Sequence, residues 1–491
     1  MDIYQEYLKK TGVYGKVLEV RHPLIFIEGL PEVRPNETII FEGGQRGQIL
    51  DIEEKEVHAL LFSNEPVPIG AMVTRTNESA SVPVTDKLLG RIVNPLGIPL
   101  GETEPMQSDV HRPIFSIAPG IEKRSKINEP FATGILKIDL LIPLGKGQRE
   151  LILGDVKTGK TTFLLSSLLS QSQQPDTVMI YAAIGKRRSE INQLVTFLTE
   201  HKIMDRTIMV ATSSSDSPSI LYLTPYAAMS MAEFFIEKGT NVVLVLDDLS
   251  THGQSYRELS LLSRRFPGRE SYPGDIFYAH ASLLERAGCY HHPEKGAVSI
   301  TCLPIATTVE GDITGYIATN LMGMTDGHIM FDVDIYNKGE RPAINIPISV
   351  TRVGRQSQTD LFKGITVEIL SMLSQYNKLL NISHLGSELS ADSKRALEKG
   401  KALSTILQQE KGILPRDVQA ILFGLVWLET IDFSTEETYM ETVAKIMQYY
   451  QGFEGMKTIT ELTKSPNVPH FLDELKKTSA IIGLCKPKTA S

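Results

Sequence analysis

One short stretch of the chain has residue types and a spacing suited to phosphate binding. Residues 154–162 read GDVKTGKTT and fit the pattern G-x-x-x-x-G-K-S/T of a phosphate-binding loop. The glycines of such a loop let the backbone turn tightly, and N–H groups beside a helix N-terminus supply positive charge. We expect Lys160 to reach the outer phosphates of a nucleotide and the Thr161 hydroxyl to complete the shell of Mg²⁺. The residues predicted to bind ATP or ADP here are Gly154, Asp155, Val156, Lys157, Thr158, Gly159, Lys160, Thr161 and Thr162.

The residues on either side of this stretch support the same interpretation. The apolar run at 151–153 is typical of a buried strand, and residues 163–169 continue at helical spacing. Together they predict the strand–loop–helix unit in which phosphate loops occur. The competing interpretation, a surface turn rich in glycine and lysine, does not explain these flanks.

A second acidic element follows the apolar run at 242–246. Asp247 and Asp248 come directly after it, and a carboxylate at a strand end beside a phosphate loop holds Mg²⁺, usually through water. We predict Asp247 for this role because it adjoins the apolar run. Asp248 is better suited to cap the helix that follows.

Hydrolysis of a nucleotide also needs a group that orients and polarises the attacking water. In this architecture that group is expected after the strand at 178–183, where the chain reads AAIGKRRSEINQ. The position after Gly185 is Lys186, a cation without acceptor capacity at neutral pH. Glu190 follows a full helical turn later. The site is therefore predicted to hold a nucleotide and to cleave it poorly.

The composition sets broad limits on the class of protein. A chain of 491 residues predicts two to four domains. The formal net charge of −8 argues against a general nucleic-acid binder. Three widely spaced cysteines predict no disulfide framework, and no stretch approaches 18 apolar residues. The polar start MDIYQEYLKK does not fit a signal peptide.

The pattern of apolar residues and turn residues changes twice along the chain, which predicts three domains after a short arm. Short apolar runs separated by Gly, Pro and Asn predict a small barrel or sandwich at 12–83, after an arm at 1–11. Alternating strand-like and helical stretches predict a parallel α/β sheet with helices on both faces at 84–360. Residues 361–491 are expected to be all-α.

Several long stretches resemble the alpha subunits of F-type ATP synthases, and the resemblance covers nearly the whole chain after about residue 12. The strongest are TGILKIDLLIPLGKGQRELILGDVKTGKT at 133–161, LSLLSRRFPGRESYPGDIFYAHASLLERAG at 259–288 and TDGHIMFDVDIYNKGERPAINIPISVTRVG at 325–354. The resemblance implies a β-barrel crown, a RecA-like nucleotide domain and a C-terminal helical domain. These match the three predicted domains.

The resemblance also implies a place in a larger assembly. In that family three alpha and three beta subunits alternate in a ring around a central stalk, and a peripheral stalk holds the ring. The implied function is a regulatory subunit that binds Mg-ATP and helps couple ATP synthesis or hydrolysis to proton or sodium transport. The implied location is peripheral, on the cytoplasmic face of the bacterial plasma membrane, which the chain reaches only through its partners.

The family assigns roles to further residues. By resemblance, the adenine pocket is lined by Tyr336, Arg341, Pro342 and Gln409. Arg352, in the stretch ISVTRVG, corresponds to the arginine finger that acts in trans on a neighbouring catalytic site. A guanidinium can meet two phosphoryl oxygens at once, which suits that role. An interface ion pair is the alternative.

Some positions depart from the alpha-subunit pattern. Lys186 stands where alpha subunits usually have Gln and beta subunits have Glu. The other departures are Val156, Lys157, Gly323, Thr351 and Lys411. With the short arm, they predict a divergent branch or a second, specialised copy.

The loop at 386–393 has two open interpretations. In relatives it presents an acidic catch to the central stalk, here Glu388 and Asp392. It equally fits a helix cap formed by Ser390 or Asp392.

Two other classes of protein fit the sequence less well. A self-sufficient homohexameric ATPase, of the export or Rho-helicase kind, needs a carboxylate at position 186, where the chain has Lys186. A scaffold that has lost nucleotide binding does not need the intact loop and Asp247.

Overall fold

The computed structural model describes residues 3–63, 65–384, 390–409, 412–431 and 436–485. The chain forms two compact units, each built from separate parts of the sequence. The first unit comprises Met1–Lys126, Gly147–Leu153 and Pro175–Asp326, and the second comprises Ile127–Lys146, Gly154–Gln174 and Gly327–Ser491. Within the described ranges, we find no helix that combines the length and the apolar character needed to cross a membrane.

The first unit begins with a helix and a closed barrel of six antiparallel strands, in the order β1-β2-β5-β4-β3-β6. These elements are α1 (Ile3–Thr11), β1 (Tyr14–Arg21), β2 (Leu24–Glu28), β3 (Glu37–Phe41), β4 (Arg46–Ile52), β5 (Val57–Leu61) and β6 (Met72–Ser79). Alternate side chains such as Ile25, Ile39 and Phe41 fill the interior. Of the two folds that the sequence left open, the barrel is therefore the one present.

Short strands connect the barrel to the rest of the chain. They are β7 (Ser81–Pro83), β8 (Ile92–Val93) and β9 (His111–Pro113) in the first unit, then β10 (Pro130–Phe131) and β11 (Leu144–Gly145) in the second, with the short helix α2 (Leu136–Leu141) between these last two. Next come β12 (Glu150–Gly154) and α3 (Lys160–Gln171). The strand–loop–helix unit predicted around residues 154–162 is therefore present.

A largely parallel sheet forms the centre of the first unit, in the order β12-β17-β15-β13-β14-β8. The remaining strands are β13 (Thr177–Lys186), β14 (Thr207–Ser213), β15 (Asn241–Asp247), β16 (Gly288–His292) and β17 (Gly296–Thr307), with β16 antiparallel to β17. The helices are α4 (Arg188–Glu200), α5 (Pro218–Glu237), α6 (Leu249–Leu262), α7 (Ile276–Leu284) and α8 (Tyr316–Met324). Strands β13 and β15 pair in parallel with Ala183 opposite Asp247, so their carboxyl ends lie side by side.

The second unit adds a short hairpin and a helical region. Its remaining elements are β18 (Gly327–Phe331), α9 (Val333–Asn337), β19 (Val350–Thr351), α10 (Asp360–His384), α11 (Ala391–Ile406), α12 (Arg416–Trp427), α13 (Glu436–Gln451), α14 (Phe453–Thr463), α15 (Val468–Lys477) and α16 (Ser479–Ile482). Helix α12 is buried from Val418 to Val426, which makes it the centre of this helical region. The predicted all-α character is confirmed.

Helix α11 resolves part of the question about the loop at 386–393. The Ser390 hydroxyl accepts a hydrogen bond from the Ser393 N–H at 3.2 Å and caps the helix, while Asp392 lies in the first turn. Glu388 and Lys411 lie outside the described residues. Ser390, one of the two predicted caps, is therefore the capping residue.

Candidate nucleotide-binding site

The phosphate loop is shaped by two glycines with positive φ. Gly154 has a φ of 145° and Gly159 a φ of 101°, in a region that favours glycine. A Cβ atom on Gly154 would lie 2.4 Å from the Phe331 carbonyl oxygen, so a side chain does not fit there. Both glycines that the motif contains are therefore required by the backbone itself.

Side chains of the loop hold it in shape from within. The Thr158 hydroxyl is buried and donates to the Asp155 carbonyl at 2.8 Å. The Lys160 ammonium group donates to the Gly154 and Asp155 carbonyls at 2.6 Å each. At the foot of the loop the rings of Phe163 and Phe331 lie 5.8 Å apart. The loop is thus a preformed turn over the start of α3.

Four other side chains of the loop are open to solvent. Val156, Lys157, Thr161 and Thr162 are exposed. A hydroxyl exposed at the start of a helix is available both to phosphate oxygens and to a metal ion. The loop therefore has the conformation and the free surface that phosphate binding requires.

Residues assigned to the adenine pocket lie together in the second unit. The Arg341 guanidinium stacks over the Tyr336 ring, 3.5 Å from its centroid, and also donates to the Tyr336 carbonyl at 2.7 Å. The Gln409 N–H donates to the Arg341 carbonyl at 2.7 Å. The Pro342 carbonyl accepts a hydrogen bond from Lys137 at 3.0 Å. Two of these residues are adjacent in sequence, but Gln409 comes from a distant part of the chain.

The Gln409 side chain has a role that the sequence did not indicate. Its Oε1 atom accepts from the Leu136 N–H at 3.1 Å. Its Nε2 atom donates to the carbonyls of Gly134 and Gly412 at 2.9 and 3.0 Å. The side chain therefore ties together the segment before α2 and the segment after α11.

Asp247 lies at the end of β15 in the first unit and has two close partners. Its Oδ1 atom lies 2.6 Å from the Lys186 ammonium, and its Oδ2 atom accepts from the Tyr181 hydroxyl at 2.6 Å. The Asp247 side chain is only 7% exposed, and that of Lys186 is 21% exposed. The sequence indicates Lys186 and Asp247 separately, but it contains no signal for their contact or for the part played by Tyr181.

The neighbouring Asp248 is a helix cap, as predicted. Its Oδ1 atom accepts from the Thr251 N–H at 2.7 Å, and its Oδ2 atom accepts from the Thr307 hydroxyl at 3.2 Å. Its Oδ2 atom also lies 4.0 Å from the Lys186 ammonium. Asp248 therefore stabilises the start of α6 and adds negative charge beside Lys186.

Burial and charge set the protonation of this cluster. Burial disfavours the charged form of Lys186, but the attraction of Asp247 and then of Asp248 outweighs that cost and raises the pKa of the ammonium group. Burial raises the pKa of the Asp247 carboxyl, against the opposing effect of Lys186. Lys186 is consequently a cation at neutral pH.

Glu190, the nearest carboxylate after Lys186 in sequence, is engaged in its own helix. Its Oε2 atom accepts from the Arg187 N–H at 2.9 Å, at the start of α4. That hydrogen bond satisfies one of the N–H groups left open at a helix N-terminus. The contact agrees with the expectation that Glu190 does not replace the missing carboxylate at position 186.

The fit of these residues to Mg²⁺ is mixed. Thr161, in the second unit, presents an exposed hydroxyl of the kind that ligates Mg²⁺. Asp247, in the first unit, fits less well, because both of its oxygens already accept from protein donors and one donor is a cation. The Asp247 cluster therefore has its countercharge built in.

Arg352 follows β19 in the second unit and is exposed. The Thr351 hydroxyl donates to the Pro143 carbonyl at 2.9 Å, and the Gly354 N–H donates to the Thr351 hydroxyl at 3.2 Å. A Cβ atom on Gly354 would lie 1.7 Å from the Pro143 oxygen, so only glycine fits this turn. The backbone on both sides of Arg352 is thus anchored while its side chain faces outward.

A largely parallel sheet, a phosphate loop between a strand and a helix, and an acidic pair at the end of β15 are features of the phosphate-loop nucleotide-binding class of proteins. Known families give a closer assignment. Residues 134–351 match the ATP synthase alpha/beta family, nucleotide-binding domain, and residues 358–468 match the ATP synthase alpha/beta chain, C terminal domain. The chain belongs to the ATP synthase alpha/beta family.

Curated relatives extend the similarity over most of the chain. It is 43% identical over 403 residues to an ATP synthase subunit alpha of Clostridium botulinum (strain Alaska E43 / Type E3), covering 82% of this chain and 80% of the relative. It is 42% identical over 411 residues to ATP synthase subunit alpha 1 of Mycoplasmopsis pulmonis (strain UAB CTIP), covering 83% and 78%. The resemblance found from the motifs is therefore confirmed at the level of the family.

Proposed function

We propose that this chain is the alpha-type, nucleotide-binding and non-catalytic subunit of the head of a rotary ATP synthase or ATPase. The observation that carries the proposal is a contrast between the phosphate loop in the second unit and the end of β13 in the first. The phosphate loop is preformed and complete, whereas the strand end that should carry a water-activating carboxylate carries Lys186 paired with Asp247. A cation held by a carboxylate cannot act as a general base.

The chain would hold the nucleotide with its loop and the residues around Arg341. Backbone N–H groups of the loop and the ammonium of Lys160 would bind the phosphates. Thr161 would ligate Mg²⁺, which offsets phosphate charge when bound. Tyr336, Arg341, Pro342 and Gln409 would form the surroundings of the adenine, with the ring of Tyr336 held by the stacked guanidinium.

The proposed partners follow from the family. Beta subunits of the same enzyme would alternate with this chain in a ring of three plus three, in contact with a central and a peripheral stalk. Arg352 would serve the catalytic site of an adjacent beta subunit, and the complex would couple ATP turnover to proton or sodium transport. The location would be peripheral, at the cytoplasmic face of the bacterial plasma membrane. The proposed domain limits are 1–11, 12–83, 84–360 and 361–491.

The decisive experiment for the site compares nucleotide binding and turnover by the purified chain. We expect Mg-ATP to raise the melting temperature of the wild type by mass action, without sustained phosphate release. Lys160→Ala should abolish the shift. The matched control is Lys457→Ala, which removes an exposed lysine on α14 and should leave the shift unchanged.

Two results would contradict the proposal. Sustained hydrolysis by the pure chain that is lost in Lys160→Ala would identify a self-sufficient ATPase of the export or Rho-helicase kind. If the purified native complex contains no beta-like chain at equal stoichiometry, the proposed ring of alternating alpha and beta subunits is wrong.

A further inference from the structure

His328 lies on β18, the strand that pairs with the segment leading to Arg352. We infer that His328 is a positioning residue for Arg352: as a neutral ring it supports the segment that carries the arginine, and in acid its positive charge displaces the guanidinium. Both residues belong to the second unit. The inference rests on the proposed function, because it concerns the action of Arg352 on a neighbouring subunit.

Strand pairing places the two side chains on the same face. Strands β18 and β19 are antiparallel, with Gly327 opposite Thr351 and His328 opposite Val350. Successive side chains of a strand point to opposite faces, so Arg352, two residues after Val350, continues the face that holds Val350 and His328. Diagonal neighbours of this kind lie about 7–8 Å apart, within reach of aromatic and long side chains. The register of the two strands therefore makes His328 a neighbour of Arg352.

The His328 ring also supports the segment that leads into β19. Its Nε2 atom lies 2.9 Å from the Ile348 carbonyl oxygen, and because a carbonyl only accepts, this nitrogen carries the proton and donates. Ser349 adds a second contact, since its hydroxyl accepts from the Met330 N–H at 3.0 Å. Two successive residues on the amino-terminal side of Arg352 are thus tied to β18.

The second ring nitrogen of His328 determines what acid does. Its Nδ1 atom is buried and has no hydrogen-bond partner among the described residues. Because Nε2 already carries a proton, Nδ1 is the atom that takes up a second one. The new N–H group would be buried without an acceptor, and it would place a second positive charge beside Arg352. Both costs fall if the ring and the guanidinium move apart.

The charges around His328 act in the same direction. Burial lowers the pKa of His328, the hydrogen bond to the Ile348 carbonyl opposes that effect, and the positive charge of Arg352 lowers the pKa further. Asp326, the carboxylate nearest to His328 in sequence, is held in an ion pair with Arg149 at 2.7 Å. His328 is therefore neutral at neutral pH, and the charge that it gains in acid acts on Arg352.

A purely structural role is the competing explanation for His328. The ring would then tie Ile348 to β18, and its protonation would not alter Arg352. The two explanations differ in two measurable quantities. One is the dependence of the His328 pKa on Arg352, and the other is the dependence of the action of Arg352 on pH.

The first experiment titrates the histidine ring signals of the full chain by NMR. Loss of a signal in His328→Gln or His328→Asn assigns it to His328. We expect Arg352→Ala to raise the pKa of His328, because the variant removes a repulsive charge. The matched control Arg355→Ala removes an exposed arginine from the short helix Gly354–Ser357 and should change that pKa less. An unchanged pKa in Arg352→Ala overturns the inference.

The second experiment measures ATP hydrolysis against pH in a ring reconstituted with beta subunits. The amide nitrogen of His328→Gln can donate to Ile348 in place of Nε2, but the amide does not take up a proton. At about pH 5, His328→Gln should retain at least about threefold more of its own neutral-pH rate than the wild type retains. The control His201→Gln changes an exposed histidine at the end of α4 and should follow the wild-type profile.

The outcomes are distinguishable from failure of the proposed function. If Arg352→Ala abolishes hydrolysis while wild type and His328→Gln have the same pH profile, this inference is wrong and the proposed function stands. Near-normal hydrolysis by the Arg352→Ala ring overturns the proposed role of Arg352, and this inference with it. The NMR titration compares wild type with Arg352→Ala, so it decides the inference even where a His328 variant does not assemble into the ring.

Discussion

Gln409 shows how one side chain can have a structural role at a position that the family assigns to ligand binding. Its amide accepts from Leu136 and donates to Gly134 and Gly412, so three of its hydrogen-bonding positions are used within the second unit. Leu136 is fully buried, and its N–H group has no access to bulk water as a replacement partner. Removing the amide would therefore leave backbone groups unsatisfied.

We expect Gln409→Ala to lower the free energy of unfolding by about 1–3 kcal/mol, the cost of leaving a buried backbone group without a partner. Thermal or urea unfolding in the absence of nucleotide measures it. Gln408→Ala, at the adjacent exposed position, is the matched control and should have little effect. Unchanged stability of Gln409→Ala together with weaker ATP binding would favour a direct contact with the nucleotide instead.

At the scale of single residues, the sequence identified site residues where the backbone conformation requires particular residue types at fixed spacing. Gly154, Gly159 and Lys160 follow a spacing that few other structures require. Tyr181 gave no such signal, because it lies in the apolar run TVMIYAAI and has the composition of a core strand. Its hydroxyl finds Asp247, 66 positions later, only after β13 and β15 pair. Contacts of this kind depend on tertiary structure.

At the scale of elements, three helices of the first unit meet at a buried pair of histidines. The His252 Nε2 atom, on α6, lies 3.1 Å from the Tyr222 carbonyl of α5 and must donate to it. The His252 Nδ1 atom is then an acceptor for the Nε2–H group of His280, on α7, at 3.1 Å. Both rings are fully buried. These hydrogen bonds require His252 to be neutral, and full burial disfavours a charge on His280.

Acid should therefore destabilise the first unit. Burial lowers the pKa of His252 to about 4, although its hydrogen bond to Tyr222 acts in the opposite direction. Burial, and then repulsion from His252, lower the pKa of His280 well below its usual range. In the unfolded chain both would titrate near about 6.5, so the unfolded state binds more protons below that pH. Each histidine should cost about 1.4 kcal/mol of stability per pH unit as the pH falls from about 6.5 toward 4.

Urea unfolding at about pH 7 and about pH 5 tests this expectation, since stability rises with pH where the unfolded state binds more protons. The variant His252→Gln/His280→Gln removes both groups and should lose less stability between the two pH values than the wild type does. The control His201→Gln changes an exposed histidine at the end of α4 and should keep the wild-type dependence. Equal losses in wild type and double variant would show that other groups govern the acid transition.

Secondary structure was largely predictable because apolar residues recur at regular spacing. The closing of the barrel and the register of strand pairing were not predictable. The apolar runs at 151–153, 178–183 and 242–246 are strands β12, β13 and β15, which begin and end within a few residues of those positions. Closing the barrel requires β1 to pair with β6, a contact between distant residues that the local pattern does not contain. His291 and His292, which lie in the turn-rich sequence GCYHHPEKG, belong to β16, because this segment pairs with β17 across a turn at 293–295.

At the scale of the whole molecule, the three predicted domains are consecutive segments of the chain, whereas each compact unit of the structure combines separate segments. The loop and α3 belong to the second unit, although the strand that leads into them belongs almost entirely to the first. The local pattern of apolar and polar residues indicates which secondary structure a segment forms. It carries no information on which distant segments pack against that segment. The order of the domains was therefore predictable, and the exchange of segments between the two units was not.

The arginine at position 352 can be tested only in an assembled complex, because its proposed target lies on another chain. Its side chain is exposed while Thr351 and Gly354 anchor the backbone on either side, an arrangement that can present a guanidinium rigidly to a neighbour. In a ring reconstituted with beta subunits, we expect Arg352→Ala to reduce ATP hydrolysis by about 10³-fold or more, the typical contribution of an arginine finger. Assembly and nucleotide binding by this chain should persist.

Arg355 provides the matched control for that measurement. It lies three residues after Arg352, in the short helix Gly354–Ser357, and is also exposed, so Arg355→Ala removes the same charge from the same surface. We expect near-normal hydrolysis from this variant, because Arg355 lies in the short helix that follows the anchored segment around Arg352. Arg352→Lys should recover little activity, since an ammonium cannot contact two phosphoryl oxygens in the planar manner of a guanidinium. Loss of ring assembly in Arg352→Ala would identify an interface ion pair, and near-normal hydrolysis would remove Arg352 from the mechanism.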